Sequence, residues 1–299
     1  MSQTGIFKSA EGEQVIRNWY ARFLARLPYA VETRQIETPL GRTQVLVAGP
    51  ADAQPLVVLH GAMAGAPYAL GEMADLAHSY RVYAVDVIGQ SVASAQVRPK
   101  FNDDSYARWL GAVLDGLGLP RAALLAISWG GAVALNLAQY APERIAALVL
   151  VVPAGIVRGP VWAAIRKVAW PMLLYNMRPT VERRDRALAG IFTQPDPEFW
   201  SPYIGDAFKH YRMDFNAPPL LKPQQMAQLQ APVYVYAADQ DLSFPGQVLL
   251  RRASELFPNY AGGHLFSNCL HSPPFTDDFR RELAARIRQV LSSMGVAPR

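Results

Sequence analysis

Apolar positions along the chain follow two rhythms. From Gln14 to Leu27 the residues Val15, Ile16, Trp19, Tyr20, Phe23, Leu24 and Leu27 recur at helical spacing, which predicts an amphipathic helix docked on a core. Val31–Glu37 and Thr43–Val47 flank the turn Pro39-Leu40-Gly41-Arg42 and predict an antiparallel hairpin. Beyond it, short continuous apolar runs at Leu56–Leu59, Arg81–Val85, Ala122–Ile127 and Ala146–Val152 alternate with helical stretches such as Ser105–Leu117 and Gly130–Tyr140. Runs of that kind suit strands buried on both faces, so the alternation predicts an α/β architecture: a mostly parallel central sheet with helices on both sides. Ligands of such sheets bind beyond the carboxyl ends of the strands, so any catalytic group should lie just after a strand.

The rhythm breaks between Pro153 and Pro219, where aromatic, Met, Arg and Pro residues replace it. This predicts a helical cap at 154–219 inserted in a core made of 1–153 and 220–299. Strand signals resume at Pro232–Ala237 and His264–Ser267, and a closing helix runs from Asp277 to Leu291.

Composition narrows the classes. With 51% hydrophobic and 18% charged residues the chain is globular and not disordered. Its longest apolar run, Ile145–Val152, is too short to cross a bilayer. The polar N-terminal stretch lacks the pattern of a secretory signal, and the single cysteine, Cys269, can form no internal disulfide, so a cytoplasmic location is expected. The net charge of +5 and the crowding of Arg178, Arg183, Arg184 and Arg186 raise the question of an anionic partner. Glu182 and Asp185 are interleaved there, and acidic residues also accompany Arg280, Arg281 and Arg286, so these stretches read as solvated helix faces; no nucleic-acid partner is expected.

The candidate chemistry centres on Ala126-Ile127-Ser128-Trp129-Gly130-Gly131, where an apolar strand meets a helix. A serine on so sharp a turn needs small residues two before it and two and three after it, and Ala126, Gly130 and Gly131 supply them. The turn also sets the hydroxyl at a helix amino end, where free N–H groups favour a developing anion. This segment resembles the nucleophile elbow of the α/β-hydrolase family, with Ala126 where glycine is more frequent. A serine that merely caps the helix is the competing reading.

The resemblance extends from the first hairpin to the final helix. His60-Gly61-Ala62 after the strand Leu56–Leu59 matches the family's His-Gly pair, which implies that the backbone N–H groups of Ala62 and Trp129 form the oxyanion hole and that His60 orders the loop. Asp86-Val87-Ile88-Gly89 resembles the family's Asp-x-x-Gly turn, a scaffold element; His78 and His210 are bystanders. For the acid the family pattern favours Asp241, with Ala238 before it and Pro245 after it; Asp239 is the reserve candidate and reads as a turn-former. For the base, His271 and His264 compete. His271 follows the apolar stretch Leu265-Phe266-Ser267, and its His-Ser-Pro-Pro-Phe context matches the family's ending, whereas His264 would stand at the beginning of that strand.

What the resemblance implies is a serine hydrolase, carboxylesterase-like, with Ser128, Asp241 and His271 as catalytic residues, no cofactor and no metal. The substrate is expected to be a small acyl compound, largely apolar if Trp162, Trp170, Met172, Tyr175, Phe199, Trp200, Tyr203 and Phe208 line a pocket; these residues fit packing between cap and core equally well. A non-catalytic ligand-binding protein and a cofactor-free lyase or perhydrolase are the alternatives on the same scaffold.

Overall fold

The structure is a computed structural model that describes residues 5–214 and 217–299. The start of the polar N-terminal stretch, 1–4, and 215–216 of the expected insertion lie outside the described residues. In chain order the elements are α1 (Ala10–Ala25), β1 (Glu32–Thr38), β2 (Gly41–Ala48), β3 (Pro55–Leu59), α2 (Ala66–Glu72), β4 (Arg81–Val85), α3 (Ser105–Gly116), β5 (Ala122–Ile127), α4 (Trp129–Tyr140) and β6 (Ile145–Val151). Then follow α5 (Val161–Ala164), a π-helical turn (Ile165–Ala169), α6 (Trp170–Met177), α7 (Val181–Leu188) and α8 (Trp200–His210). The chain ends with α9 (Pro223–Met226), β7 (Val233–Ala238), α10 (Gly246–Leu256), β8 (Tyr260–Phe266) and α11 (Asp277–Ser293).

The eight strands form one sheet in the order β1-β2-β4-β3-β5-β6-β7-β8. β1 and β2 form the expected hairpin, β2 pairs antiparallel with β4, and every later pairing is parallel. Because side chains alternate across a strand, each apolar run feeds two cores. Val57, Leu59, Leu124, Ala126, Leu148 and Leu150 face the layer that holds α3, α4 and α10. Leu56, Val58, Ala123, Leu125, Ala147 and Val149 face the layer of α1, α2 and α11.

The largest differences from the expected boundaries are at the starts of α1 and β8. α1 begins at Ala10, earlier than the apolar pattern does, because the Ser9 side chain caps it by accepting the Gly12 N–H at 3.1 Å. β8 begins at Tyr260, not His264, so His264 lies inside the strand and packs edge-on against Tyr236 and Phe266. This strand is an edge carrying Gly262 and Gly263, so its first half has no continuous apolar run.

Candidate active site

The carboxyl ends of β3, β5, β7 and β8 converge on Ser128. The serine stands between β5 and α4 with φ 51° and ψ −112°, a backbone conformation unfavourable for a residue with a side chain. Crowding explains the small neighbours: a Cβ on Gly130 would come within 2.5 Å of the Leu59 carbonyl oxygen, and one on Gly131 within 2.7 Å of Pro153 Cβ. The turn is braced by the Ser128 carbonyl, which accepts the N–H groups of Gly131 and Ala154 at 2.9 and 3.0 Å.

Ser128 Oγ lies 2.9 Å from His271 Nε2, and His271 Nδ1 lies 2.7 Å from Asp241 Oδ2. A carboxylate can only accept, so Nδ1 carries the proton, and Nε2 is the acceptor facing the serine hydroxyl. Asp241 has no exposed side-chain surface. Its second oxygen accepts the N–H groups of Ser243 at 2.7 Å and Phe244 at 3.1 Å, which fixes the plane of the carboxylate. Phe244 also sets its ring against the imidazole, with centroids 5.4 Å apart. Asp239, the reserve acid, turns away: its oxygens accept the N–H groups of Asn268 and Cys269 at 2.9 and 3.0 Å, and these bonds hold its carboxyl below the usual range. His264 is in strand β8 and does not reach Ser128's partners.

The loop after β3 approaches from the other side, and a Cβ on Gly61 would lie 3.5 Å from Ser128 Cβ. Ala62 lines the same cavity as Ser128, and Trp129 opens α4 directly after it. Among the described residues, the backbone N–H groups of Ala62 and Trp129 have no acceptor. His60 is buried beneath the loop, its Nε2 accepting the Val87 N–H at 2.9 Å while Nδ1 faces the Gly61 carbonyl at 2.7 Å. Burial pushes its pKa down to about 4, so it is a neutral strut between two loops. Asp86 is likewise enclosed: it accepts from Ala66 N, Ser91 Oγ and the Tyr20 hydroxyl at 2.8, 2.6 and 2.7 Å. Desolvation nevertheless pushes its carboxyl up to about 6. His78 is exposed, and His210 sits at the end of α8; neither lines the cavity.

The cavity beside Ser128 and His271 has a volume of about 290 Å³ and a mostly apolar wall that includes Met63, Met73, Ile191, Phe192, Ile204 and Phe275. The aromatic residues expected there divide three ways. Trp200 and Phe208 do line it. Tyr175 and Tyr203 are buried as packing, Phe199 packs edge-on against Trp19 and Phe23, and Met172 supports the small core around Phe192. Trp162 and Trp170 do neither, being 82% and 57% exposed. The sequence shows how many apolar residues a helix carries, but α5 and α6 carry them on both faces.

Arg280 also departs from its reading as part of a solvated face. Its guanidinium grips Glu72 with two nitrogens, at 3.0 and 2.8 Å, and Trp200 Nε1 donates to the same carboxylate at 2.8 Å. Tyr68, Glu72, Trp200 and Arg280 thereby separate the Ser128 cavity from a neighbouring surface cavity of about 270 Å³. Glu72 and Arg280 stand 208 residues apart in the chain, so no local pattern could have paired them.

Among known proteins, a sequence model of the α/β hydrolase fold matches residues 54–195. The chain is 35% identical over 135 residues to an uncharacterised carboxylesterase, nap, of Bacillus subtilis; the alignment spans 45% of each protein, less than half of that relative's length. It is 26% identical over 285 residues to the carboxylesterase YbfK of Bacillus subtilis, spanning 86% of this chain and 89% of the relative. The crystal structure of the naproxen esterase of Bacillus subtilis superposes with a TM-score of 0.78, covering 94% of this chain and 99% of the other at 21% identity, a likeness of fold. With its strand order, its helices on both faces of the sheet and these matches, the chain has the α/β-hydrolase fold.

Proposed function

We propose that this protein is a serine carboxylesterase in which Ser128 is the nucleophile, His271 the general base and acid, and Asp241 the group that orients and electrostatically supports the histidine. The observation that carries the reading is the unbroken chain of contacts Ser128 Oγ to His271 Nε2 at 2.9 Å and His271 Nδ1 to Asp241 Oδ2 at 2.7 Å, opening on an apolar cavity. The carboxylesterase names of nap and YbfK support the same class of substrate.

In this mechanism Ser128 Oγ attacks the acyl carbon of a bound ester as its proton passes to His271 Nε2. The imidazolium keeps Nδ1–H on Asp241, whose buried carboxylate offsets the new charge. The carbonyl oxygen, now negative, is received by the N–H groups of Ala62 and Trp129. Collapse of the tetrahedral intermediate expels the alkoxide, which takes the proton from Nε2 and leaves as the alcohol. Water then gives a proton to His271 and attacks the acyl-Ser128 ester; a second collapse releases the carboxylic acid and restores the serine hydroxyl. Binding in the cavity is governed by apolar contact, because Glu72 and Arg280, the charged pair in its wall, neutralise each other. The segment 154–219 acts as a cap, with α8 and the α7–α8 connection contributing Ile191, Phe192, Trp200 and Phe208 to the wall.

A panel of p-nitrophenyl esters from acetate to dodecanoate tests this function. The wild type should turn over the short and medium chains, Ser128→Ala should turn over none, and Trp200→Ala, which opens the partition between the two cavities, should accept longer chains. Turnover of no ester by the wild type, or equal turnover by Ser128→Ala, contradicts it. Apolar ligand binding without turnover would support the ligand-binding alternative.

A further inference from the structure

Exposed large apolar side chains are concentrated on one helical segment. Among the described residues, Val161, Trp162, Ile165, Trp170, Leu173, Met177 and Val181 are exposed, against Val97, Tyr140, Leu220 and Val248 in all the rest. Scattered exposure needs no explanation, but a contiguous patch does.

The helix geometry makes this patch a stripe. Trp162 and Ile165 are three residues apart, as are Trp170 and Leu173, and Met177 follows four later, all spacings that keep side chains on one face. Between Ile165 and Trp170 the spacing is five, which an α-helix would rotate off the face. The π-helical turn at Ile165–Ala169, where the Trp170 N–H bonds the Ile165 carbonyl, absorbs the extra residue and brings Trp170 back into line. The opposite face is satisfied: Tyr175 and Met172 pack with Phe192 and Phe208, which line the Ser128 cavity. The segment is thus one layer between solvent and the candidate active site.

Its charges have one sign. Arg166 and Lys167 are exposed within the π-helical turn, and the stretch Trp162–Met177 carries no acidic residue; Glu182 and Asp185 enter only farther along, among Arg178, Arg183, Arg184 and Arg186. Tryptophans interleaved with Arg and Lys on a helix with a satisfied inner face match the headgroup region of a membrane, where the rings enter the acyl boundary and the cations meet anionic lipid. No helix among the described residues is long and apolar enough to cross a membrane, so this one would lie on the surface. We propose that the Trp162–Met177 stripe docks the protein on an anionic membrane surface, placing the wall of the Ser128 cavity against the bilayer. Docking requires no turnover and stands or falls independently of the esterase reading.

The test is co-sedimentation of the full chain with vesicles of phosphatidylcholine and phosphatidylglycerol in equal parts. The wild type should bind these vesicles at least about tenfold more strongly than pure phosphatidylcholine vesicles, and salt on the order of 1 M should remove the difference. Trp162→Ser with Trp170→Ser should reduce binding to both kinds of vesicle, while Arg166→Glu with Lys167→Glu should remove only the preference for the anionic one. Since all four side chains are exposed, circular dichroism should show these variants folded. A wild type that stays in the supernatant with the anionic vesicles, or folded variants that bind as it does, overturns the proposal. So does a wild-type dimer that Trp162→Ser dissociates in sedimentation velocity without vesicle binding, since the stripe would then pair two copies.

Discussion

Asp241 holds His271 through one carboxylate oxygen, at 2.7 Å, while its other oxygen is occupied by the N–H groups of Ser243 and Phe244. Asn at this position must keep its single oxygen for one of these two duties. If the oxygen stays with Ser243 and Phe244, the amide nitrogen faces Nδ1 and imposes the wrong tautomer. Asp241→Asn should therefore lower kcat for a p-nitrophenyl ester on the order of 10⁴-fold with little change in KM. Asp239→Asn, which perturbs only the turn at Asn268 and Cys269, should stay within about tenfold of the wild type, since loss of a single hydrogen bond usually contributes about 1 kcal/mol. A larger kcat loss for Asp239→Asn than for Asp241→Asn would move the acid two residues upstream.

Gly130 is pinned by backbone, not by a side chain that can swing aside: the Leu59 and His60 carbonyl oxygens lie 2.5 and 2.7 Å from where its Cβ would be. Gly130→Val should displace β3 or the start of α4 and lower the melting temperature together with activity, at a cost of about 1–3 kcal/mol or more. A thermal melt that matches wild type, with full esterase activity, would remove the steric account of the elbow.

These two positions also show what the sequence could reveal. The elbow was legible because strand, small residues, serine and helix are adjacent in the chain, and the parallel strands because burial on both faces leaves continuous apolar runs. His271 could be chosen over His264 from its place after an apolar stretch, although the strand itself begins earlier at Tyr260, where an edge position with Gly262 and Gly263 leaves no apolar run. The break in rhythm after Pro153 marked where the strand-helix alternation stops, but not which side chains face solvent. Trp162 and Trp200 look alike in sequence, yet one is 82% exposed and the other lines the cavity. The Glu72–Arg280 pair, formed between α2 and α11, is set by tertiary packing alone.

Two enclosed groups give an opposed pH signature. His60 has its pKa pushed down to about 4, so it favours folding when neutral; that contribution is complete above its ordinary value of 6.5 and is lost as pH falls toward 4. Asp86 has its pKa pushed up to about 6 from 3.8, so it favours folding when protonated; that contribution is complete below 3.8 and is lost as pH rises through 6. Between pH 4 and 6 the two slopes run against each other. Asp86→Asn removes one of them, so its unfolding free energy should rise with pH across this window more steeply than that of the wild type, by about 1.4 kcal/mol per pH unit. Urea titrations of both proteins at several pH values measure the slopes, and parallel curves would rule out a perturbed Asp86.

The central claim, that Ser128 is a nucleophile activated by His271, is tested most directly by labelling with a fluorophosphonate and locating the adduct by peptide mass spectrometry. The account predicts one adduct, on Ser128, formed rapidly by the wild type, absent in Ser128→Ala and slowed on the order of 10⁴-fold or more in His271→Ala, because the hydroxyl is a weak nucleophile without its base. An adduct on another residue, equal labelling rates in wild type and His271→Ala, or an ester-hydrolysing wild type that takes no label would contradict it.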